Sequence, residues 1–334
     1  MMSPRARADE SAREGSAVGP ADSSSRGTAK LLGMTGAVLS SLIAAALAFG
    51  YARPVTVFEA LAALRLRVSG VRSAHVQAGP HRLHYFEAGS GPPLVLVHGL
   101  ASNATQDWGR LIGPLSRRFH VYAPDLPGFG RSERPPDADY SIPMQVEAVR
   151  AFMDAKGVRR ARVAGISMGG WIAARLAGES PERVELLVLV DAAGMRPDGP
   201  AIPAEALLPR DEEGVRRLVA VVRHNAPVPP SFVALDILAR RLREEWIIRR
   251  ALESMRDGED WLNGTLGKAE LPTLIVWGRQ DVLIPASYGE ALNAELPRAE
   301  LVVLDGCGHV PIADCPEAFD RVVVPFLSAG DAAR

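Results

Sequence analysis

From about residue 75 onward the chain alternates between short, continuous apolar runs and longer stretches whose apolar side chains recur three or four residues apart. Continuous runs fit strands covered on both faces, and the wider spacing fits helices with one buried stripe. Strands are expected at 81–87, 94–98, 121–124, 161–166, 184–190, 273–277 and 301–304, and helices at about 107–116, 142–156, 168–179, 287–296 and 316–327. The alternation predicts an α/β fold on a doubly wound, mostly parallel sheet. It breaks between about 192 and 271, where "FVALDILARRLREEWIIRRALESM" keeps helical spacing without a convincing strand. That stretch is expected to form a helical cap inserted above the sheet.

The N-terminal part reads differently. Residues 1–30 are rich in Ser, Ala, Gly and Arg, with few large apolar side chains, and are expected to form a disordered tail. From Leu31 to Ala52 no charged residue occurs across 22 positions, enough for a helix to cross a bilayer. A single membrane anchor is expected. A cleaved signal segment, with Ala46-Leu47-Ala48 as an A-x-A site and a secreted or periplasmic product, is the alternative. Arg26 and Lys30 on one side are balanced by Arg53, Arg65 and Arg67 on the other, so charge does not orient the segment. Residues 53–74 are expected to form an amphipathic linker helix ahead of a domain over 75–334.

Composition narrows the function classes. With 47% hydrophobic residues the chain can bury a large core, and a net charge of -1 with no basic block interleaved with aromatics gives no footprint for nucleic acid. Two cysteines, Cys307 and Cys315, exclude a disulfide framework and an all-cysteine metal site, and Cys307-Gly308-His309 lacks zinc spacing. Two incidental thiols are expected, with one local disulfide open to a domain outside the cytoplasm. No metal or nucleotide motif suggests a cofactor, and nothing in the sequence sets an oligomeric state.

The candidate chemistry sits in "VAGISMGGWIAA". A G-x-S-x-G match occurs by chance in roughly one chain in ten of this length, so its placement has to carry the argument. Here Ser167 falls between an expected strand and an expected helix, and Gly165 and Gly169 supply the small residues that so sharp a turn requires. A serine hydroxyl needs a base to take its proton and a carboxylate to orient that base. Of seven histidines, His309 in "LDGCGHVPI" lies just past the last expected strand, whereas His75, His81, His84 and His120 sit at strand approaches and His224 inside the insertion. Asp281 in "VWGRQDVLIP" is the expected acid, with Asp191 in "VLVDAAG" as its rival at the same sheet edge. The backbone N–H groups of Met168 and Leu100 are the expected oxyanion donors. His98 and Asp125 are read as loop supports.

"LVLVHGLASNATQDW", "VYAPDLPGFGRSERP", "VAGISMGG", "LIVWGRQDVLIP" and "LDGCGHVPI" occur in the order and spacing of the serine α/β-hydrolases. Together with the apolar segment and "HRLHYFEAGSGPP", the chain resembles the membrane-anchored monoacylglycerol-lipase and Moraxella-type lipase branch over about residues 31–328. The resemblance implies Ser167 as nucleophile, Asp281 as acid, His309 as base, and Leu100 and Met168 as oxyanion donors. It also implies a carboxylic-ester hydrolase acting on lipidic or other small esters through an acyl-serine. Two alternatives stay open: a serine hydrolase of carbon–carbon bonds in ring-cleavage products, and a non-catalytic binding module on the same fold. The cap offers little to match, so the resemblance leaves acyl chain length and head group undefined.

Overall fold

The computed structural model describes residues 42–196, 204–256, 260–266 and 269–329. The chain divides into two compact units, Met1–Tyr51 and Ala52–Arg334. Of the first, helix α1 (Leu42–Ala52, which ends one residue into the second unit) is described. The expected tail and the start of the expected anchor lie outside the described residues. No single helix among the described residues is long and apolar enough to cross a membrane.

The second unit opens with α2 (Pro54–Val68) and then builds an eight-stranded sheet from β1 (Arg72–Ala78), β2 (His81–Ala88), β3 (Pro93–Val97), β4 (His120–Pro124), β5 (Ala161–Ile166), β6 (Val184–Val190), β7 (Thr273–Gly278) and β8 (Ala299–Leu304). The spatial order is β1-β2-β4-β3-β5-β6-β7-β8. Pairing is antiparallel from β1 to β2 and from β2 to β4, and parallel across the other six strands. Strand β1 corrects the expected linker, which ran through residue 74. Its sequence, "RSAHVQA", lies at the sheet edge with mostly exposed or half-buried side chains, so it lacks the apolar run that marks a buried strand.

Side chains alternate between two cores. Val95, Val97, Val163, Leu187, Leu189 and Ile275 point to one face, beneath α4 (Ile142–Ala155), α5 (Met168–Glu179) and α8 (Ala286–Glu295). Leu94, Leu96, Ala164, Val188, Val190 and Val276 point to the other, against α3 (Ala104–Leu115) and α10 (Pro316–Ala329). Helix α3 starts three residues before the expected position, because the Asn103 side chain caps it by accepting from the N–H groups of Thr105 and Gln106, both at 3.0 Å. The expected cap is mostly helical where described, with α6 (Glu212–Val222) and α7 (Ser231–Arg256) between β6 and β7 and turns joining and following them.

Helix α2 is part of the domain. Leu66 is buried, Asp236 of α7 accepts from the Val55 N–H at 3.0 Å, and Glu59 joins Asn103, Gln106 and Arg240 at 2.7–2.9 Å. At the other end of the chain, Cys307 and Cys315 form a disulfide across the turn that contains the short helix α9 (Pro311–Asp314), with their Cα atoms 5.7 Å apart. This corrects the expectation of two thiols. The local disulfide that the sequence left open is the one formed, because the turn returns tightly enough to bring two cysteines eight residues apart together.

Two outcomes are expected. Replacing Cys315 by Ser should remove about 2 kcal/mol of stability and lower Tm by several degrees, as read by thermal unfolding with and without reductant. A variant beginning at Arg53, which keeps the Arg53–Asp236 pair, should unfold at the same temperature as one beginning at Leu42. A variant beginning at Val71 should unfold several degrees lower; equal melting would show that α2 contributes no stability.

Candidate active site

Ser167 is the single residue between β5 and α5. Its φ of 55° and ψ of -122° lie where L-residues are strained, and the turn is fixed by Ser167 N–H donating to Val190 O at 2.9 Å. The Ser167 carbonyl accepts from Gly170, Trp171 and Ala193 N–H at 2.9–3.1 Å. A Cβ on Gly165 would collide with the carbonyl of Gly169, and one on Gly169 would collide with the carbonyl of Val97. Both positions therefore require glycine for the helix to start so close to the sheet.

His309 and Asp281 arrive at the same edge from the turns after β8 and β7. His309 Nε2 lies 2.9 Å from Ser167 Oγ, and Nδ1 lies 2.7 Å from Asp281 Oδ2. The other Asp281 oxygen accepts from the N–H groups of Leu283 and Ile284 at 2.8 and 2.9 Å, which holds the carboxylate as an acceptor. Nδ1 therefore carries the proton and donates to Asp281, leaving Nε2 to accept from the serine hydroxyl. Asp191, the rival acid, lies fully buried, and among the described residues its side chain accepts from Gly278 N–H and not from Ser167.

The expected oxyanion donors flank the serine. Met168 opens α5, so its N–H is one of the helix-start amides without an intrahelical acceptor. Leu100 belongs to the loop after β3, and a Cβ added to the preceding Gly99 would lie 3.3 Å from the Ser167 Cβ. His98 and Asp125 shape the base of this loop. His98 Nε2 accepts from Leu126 N–H at 2.9 Å and its Nδ1 donates to Gly99 O at 2.8 Å. Asp125 accepts from Ala104 N–H, Arg131 N–H and His84 at 2.8–2.9 Å. The His84 hydrogen bond and nearby charge hold its carboxyl below the usual range, although burial, the largest single influence, pushes the other way.

Several supports were not legible in the sequence. Asp107 accepts from Gly99 N–H at 2.8 Å and from Ser102 Oγ at 2.6 Å, while Arg241 of the cap donates to Ala101 O at 2.6 Å. Asp314 accepts from Gly308 and His224 N–H at 2.9 and 2.8 Å and pairs with Arg223 at 2.5 Å, tying the His309 loop to the end of α6. Acidic residues in first helical turns hint at such roles, but their partners come from distant sequence.

Ser167 and His309 open into a cavity of about 970 Å³. Its wall includes Leu100 and Met168, the cap residues Leu218, Ile248, Leu252 and Met255, and the stacked pair Trp171 and Trp261, whose ring centroids are 5.1 Å apart. Three cap arginines, Arg223, Arg240 and Arg241, also border it.

A sequence model described as alpha/beta hydrolase fold matches residues 92–227 and 231–316. The chain is 30% identical over 234 residues to Lipase 3 of Moraxella sp., covering 67% of this chain and 74% of that protein. It is also 30% identical over 270 residues to 2-hydroxymuconate semialdehyde hydrolase of Pseudomonas sp., covering 75% and 92%. A solved membrane phospholipase A, described as a bacterial virulence factor, superposes with a TM-score of 0.78 at 32% identity, covering 90% of this chain and 98% of that one. With this fold, topology and match, the chain belongs to the α/β-hydrolase family and is a hydrolase.

Proposed function

We propose that the protein is a serine hydrolase of carboxylic esters, acting on acylglycerols or related lipidic esters through an acyl-Ser167 intermediate. The observation that carries this reading is the chain Ser167, His309, Asp281 at 2.9 and 2.7 Å, opening into a large, mainly apolar cavity. In acylation, His309 Nε2 takes the hydroxyl proton as Ser167 Oγ attacks the ester carbonyl. The Leu100 and Met168 N–H groups receive the developing oxyanion. His309 then gives the proton to the departing alcohol. In the second half-reaction it takes a proton from water, hydroxide adds to the acyl carbon, and the Ser167 oxygen leaves as the proton returns to it. Asp281 keeps the imidazole in one tautomer and stabilises its protonated form.

Carbon–carbon hydrolysis of ring-cleavage products is the second reading, supported by the semialdehyde hydrolase relative and by the arginines at the cavity. A carboxylated substrate needs a cation free to pair with it. Two of the three are paired with carboxylates, Arg240 with Glu59 at 2.8 Å and Arg223 with Asp314 at 2.5 Å, while Arg241 donates to the Ala101 carbonyl at 2.6 Å and keeps its charge. The ester is favoured by the apolar remainder of the wall, including Leu218, Ile248, Leu252 and Met255. The binding-module reading is weakened by a complete hydrogen-bonded chain, since a surface that only binds has no use for it.

For location, we favour a single membrane anchor over 31–52 with the domain in an oxidising compartment. The uncharged run and the exposed Leu42, Ile43, Leu47 and Phe49 of α1 support the first part, and the Cys307–Cys315 disulfide supports the second. The cleaved-signal alternative predicts instead a mature chain that begins near Phe49 and lacks most of α1.

The test is turnover of an ester series, from acetyl to long-chain acyl and including monoacylglycerols, by the wild-type protein and Ser167→Ala. Wild type should favour long acyl chains, and the variant should lose at least about 10⁴-fold in turnover with unchanged Tm. Retained activity in the variant would remove Ser167 from the chemistry. Inactivity of wild type on every ester, alongside cleavage of a vinylogous ring-fission acid, would establish the carbon–carbon reading.

A further inference from the structure

One carboxyl beside the candidate site has no part in the mechanism above. Asp191 follows β6 directly, is completely buried and adopts a φ of 41°. Its Oδ1 accepts from Gly278 N–H at 2.8 Å, which pins the side chain between the ends of β6 and β7. Its Oδ2 is enclosed and accepts no hydrogen bond among the described residues. An oxygen of Asp191, an oxygen of Asp281 and a ring nitrogen of His309 lie within 4.8 Å of one another.

Two carboxyl groups this close and shielded from water cannot both remain ionised. The distribution of donors decides which one keeps the proton. Asp281 receives three hydrogen bonds, from Leu283 N–H, Ile284 N–H and His309 Nδ1–H, so its charge is compensated. Asp191 receives one. Burial, followed by the charge of Asp281, pushes the Asp191 pKa well above the ordinary carboxylate range, and the more distant Asp314 acts in the same direction. The groups facing Asp191 are thus the Gly278 amide and Asp281 from the β7 end, His309 from the turn after β8, and Asp314 from α9.

We propose that Asp191 is a neutral carboxylic acid whose Oδ2–H donates a hydrogen bond to Asp281, making it a positioning residue behind the His309–Asp281 pair. The inference rests on the reading of Asp281 as the acid of the site. A fourth donor draws negative charge from the Asp281 carboxylate, leaving less to stabilise a proton on His309. An ionised Asp191 would do the opposite: a second negative charge beside the pair would hold His309 protonated, a form that cannot accept the Ser167 proton. The neutral acid therefore keeps His309 available as a base while adding a fixed contact to Asp281.

Asp191→Asn and Asp191→Ala discriminate these states. Asn reproduces the neutral form: its carbonyl accepts from Gly278 N–H, its amide donates to Asp281, and it tolerates positive φ. The rate of fluorophosphonate labelling at Ser167, followed against pH, reads His309 as a base without presuming a substrate. Asn should leave its acid limb unchanged and the rate within about twofold, while Ala should move the limb up by about one pH unit. Infrared spectra of wild type at neutral pH should show the C=O band of a protonated carboxylic acid, missing from Asp191→Asn. A downward shift of the limb in Asn, or no such band in wild type, would overturn the proposal. So would an Asn and an Ala variant that both keep the wild-type limb while only Tm falls. The infrared result separates this from the proposed function: the band can persist in a protein that cleaves no ester, and its absence leaves ester turnover and the Ser167→Ala result standing.

Discussion

The sharp, strained turn at Ser167 is the constraint on which the site depends. A parallel strand and the helix that follows it normally need a few residues to separate; here one residue separates β5 from α5. That geometry is affordable only because carbonyls of Gly169 and Val97 fill the space where side chains of Gly165 and Gly169 would be. Three N–H groups converging on the Ser167 carbonyl compensate the strain with hydrogen bonds. The result is a hydroxyl held at the carboxyl edge of the sheet, against the amide end of α5, where every following strand delivers its next turn. His309 and Asp281 reach it from the ends of β8 and β7 because the parallel strands all end on that side.

Distances alone do not make this site. A second chain of the same residue types exists: Ser73 Oγ lies 2.8 Å from His84 Nε2, and His84 Nδ1 lies 2.8 Å from Asp125. Yet Ser73 is an exposed residue on the edge strand β1, with no strand-to-helix turn to present it, and it does not line the large cavity. Asp125 in that chain spends its other hydrogen bonds on Ala104 and Arg131, organising the loops after β3 and β4. What distinguishes Ser167 is the combination of strain, helix amides and an apolar cavity. The Ser73 chain fixes an antiparallel edge to the sheet; the Ser167 chain faces a space for substrate.

The legible parts of the sequence are those where chemistry is local. Most of the seven expected strands announced themselves as apolar runs, and Gly165, Ser167 and Gly169 declared a turn whose geometry few other residues permit. His309 and Asp281 were legible through their positions just past such runs. Strand β1 was hidden because an edge strand with a wet face carries little apolar signal. The disulfide, Asp107, Asp314 and Arg241 were hidden for another reason: each acts through a partner that only the folded chain brings near. Asp191 was visible as a carboxyl at the right edge, but its neutral state depends on how many donors Asp281 receives.

Those hidden residues explain how a cap so weakly specified by pattern is coupled to the chemistry. Arg241 of α7 grips the carbonyl of Ala101, one residue past Leu100, the expected oxyanion donor, while Asp107 holds the same loop from α3. At the opposite rim, Asp314 joins the amide before His309 to Arg223 and His224 at the end of α6. Glu59 of α2 then pairs with Arg240, the residue before Arg241, and bonds Asn103 and Gln106 at the start of α3. The loop after β3 and the loop that carries His309 are thus both anchored to cap helices as well as to the sheet. A displacement of α6 or α7 would break charged hydrogen bonds on each side of Ser167, which cost more than neutral ones to leave unmade. Cap position and the alignment of the reacting groups are therefore energetically one property, even though the cap contributes no member of the Ser167, His309, Asp281 chain.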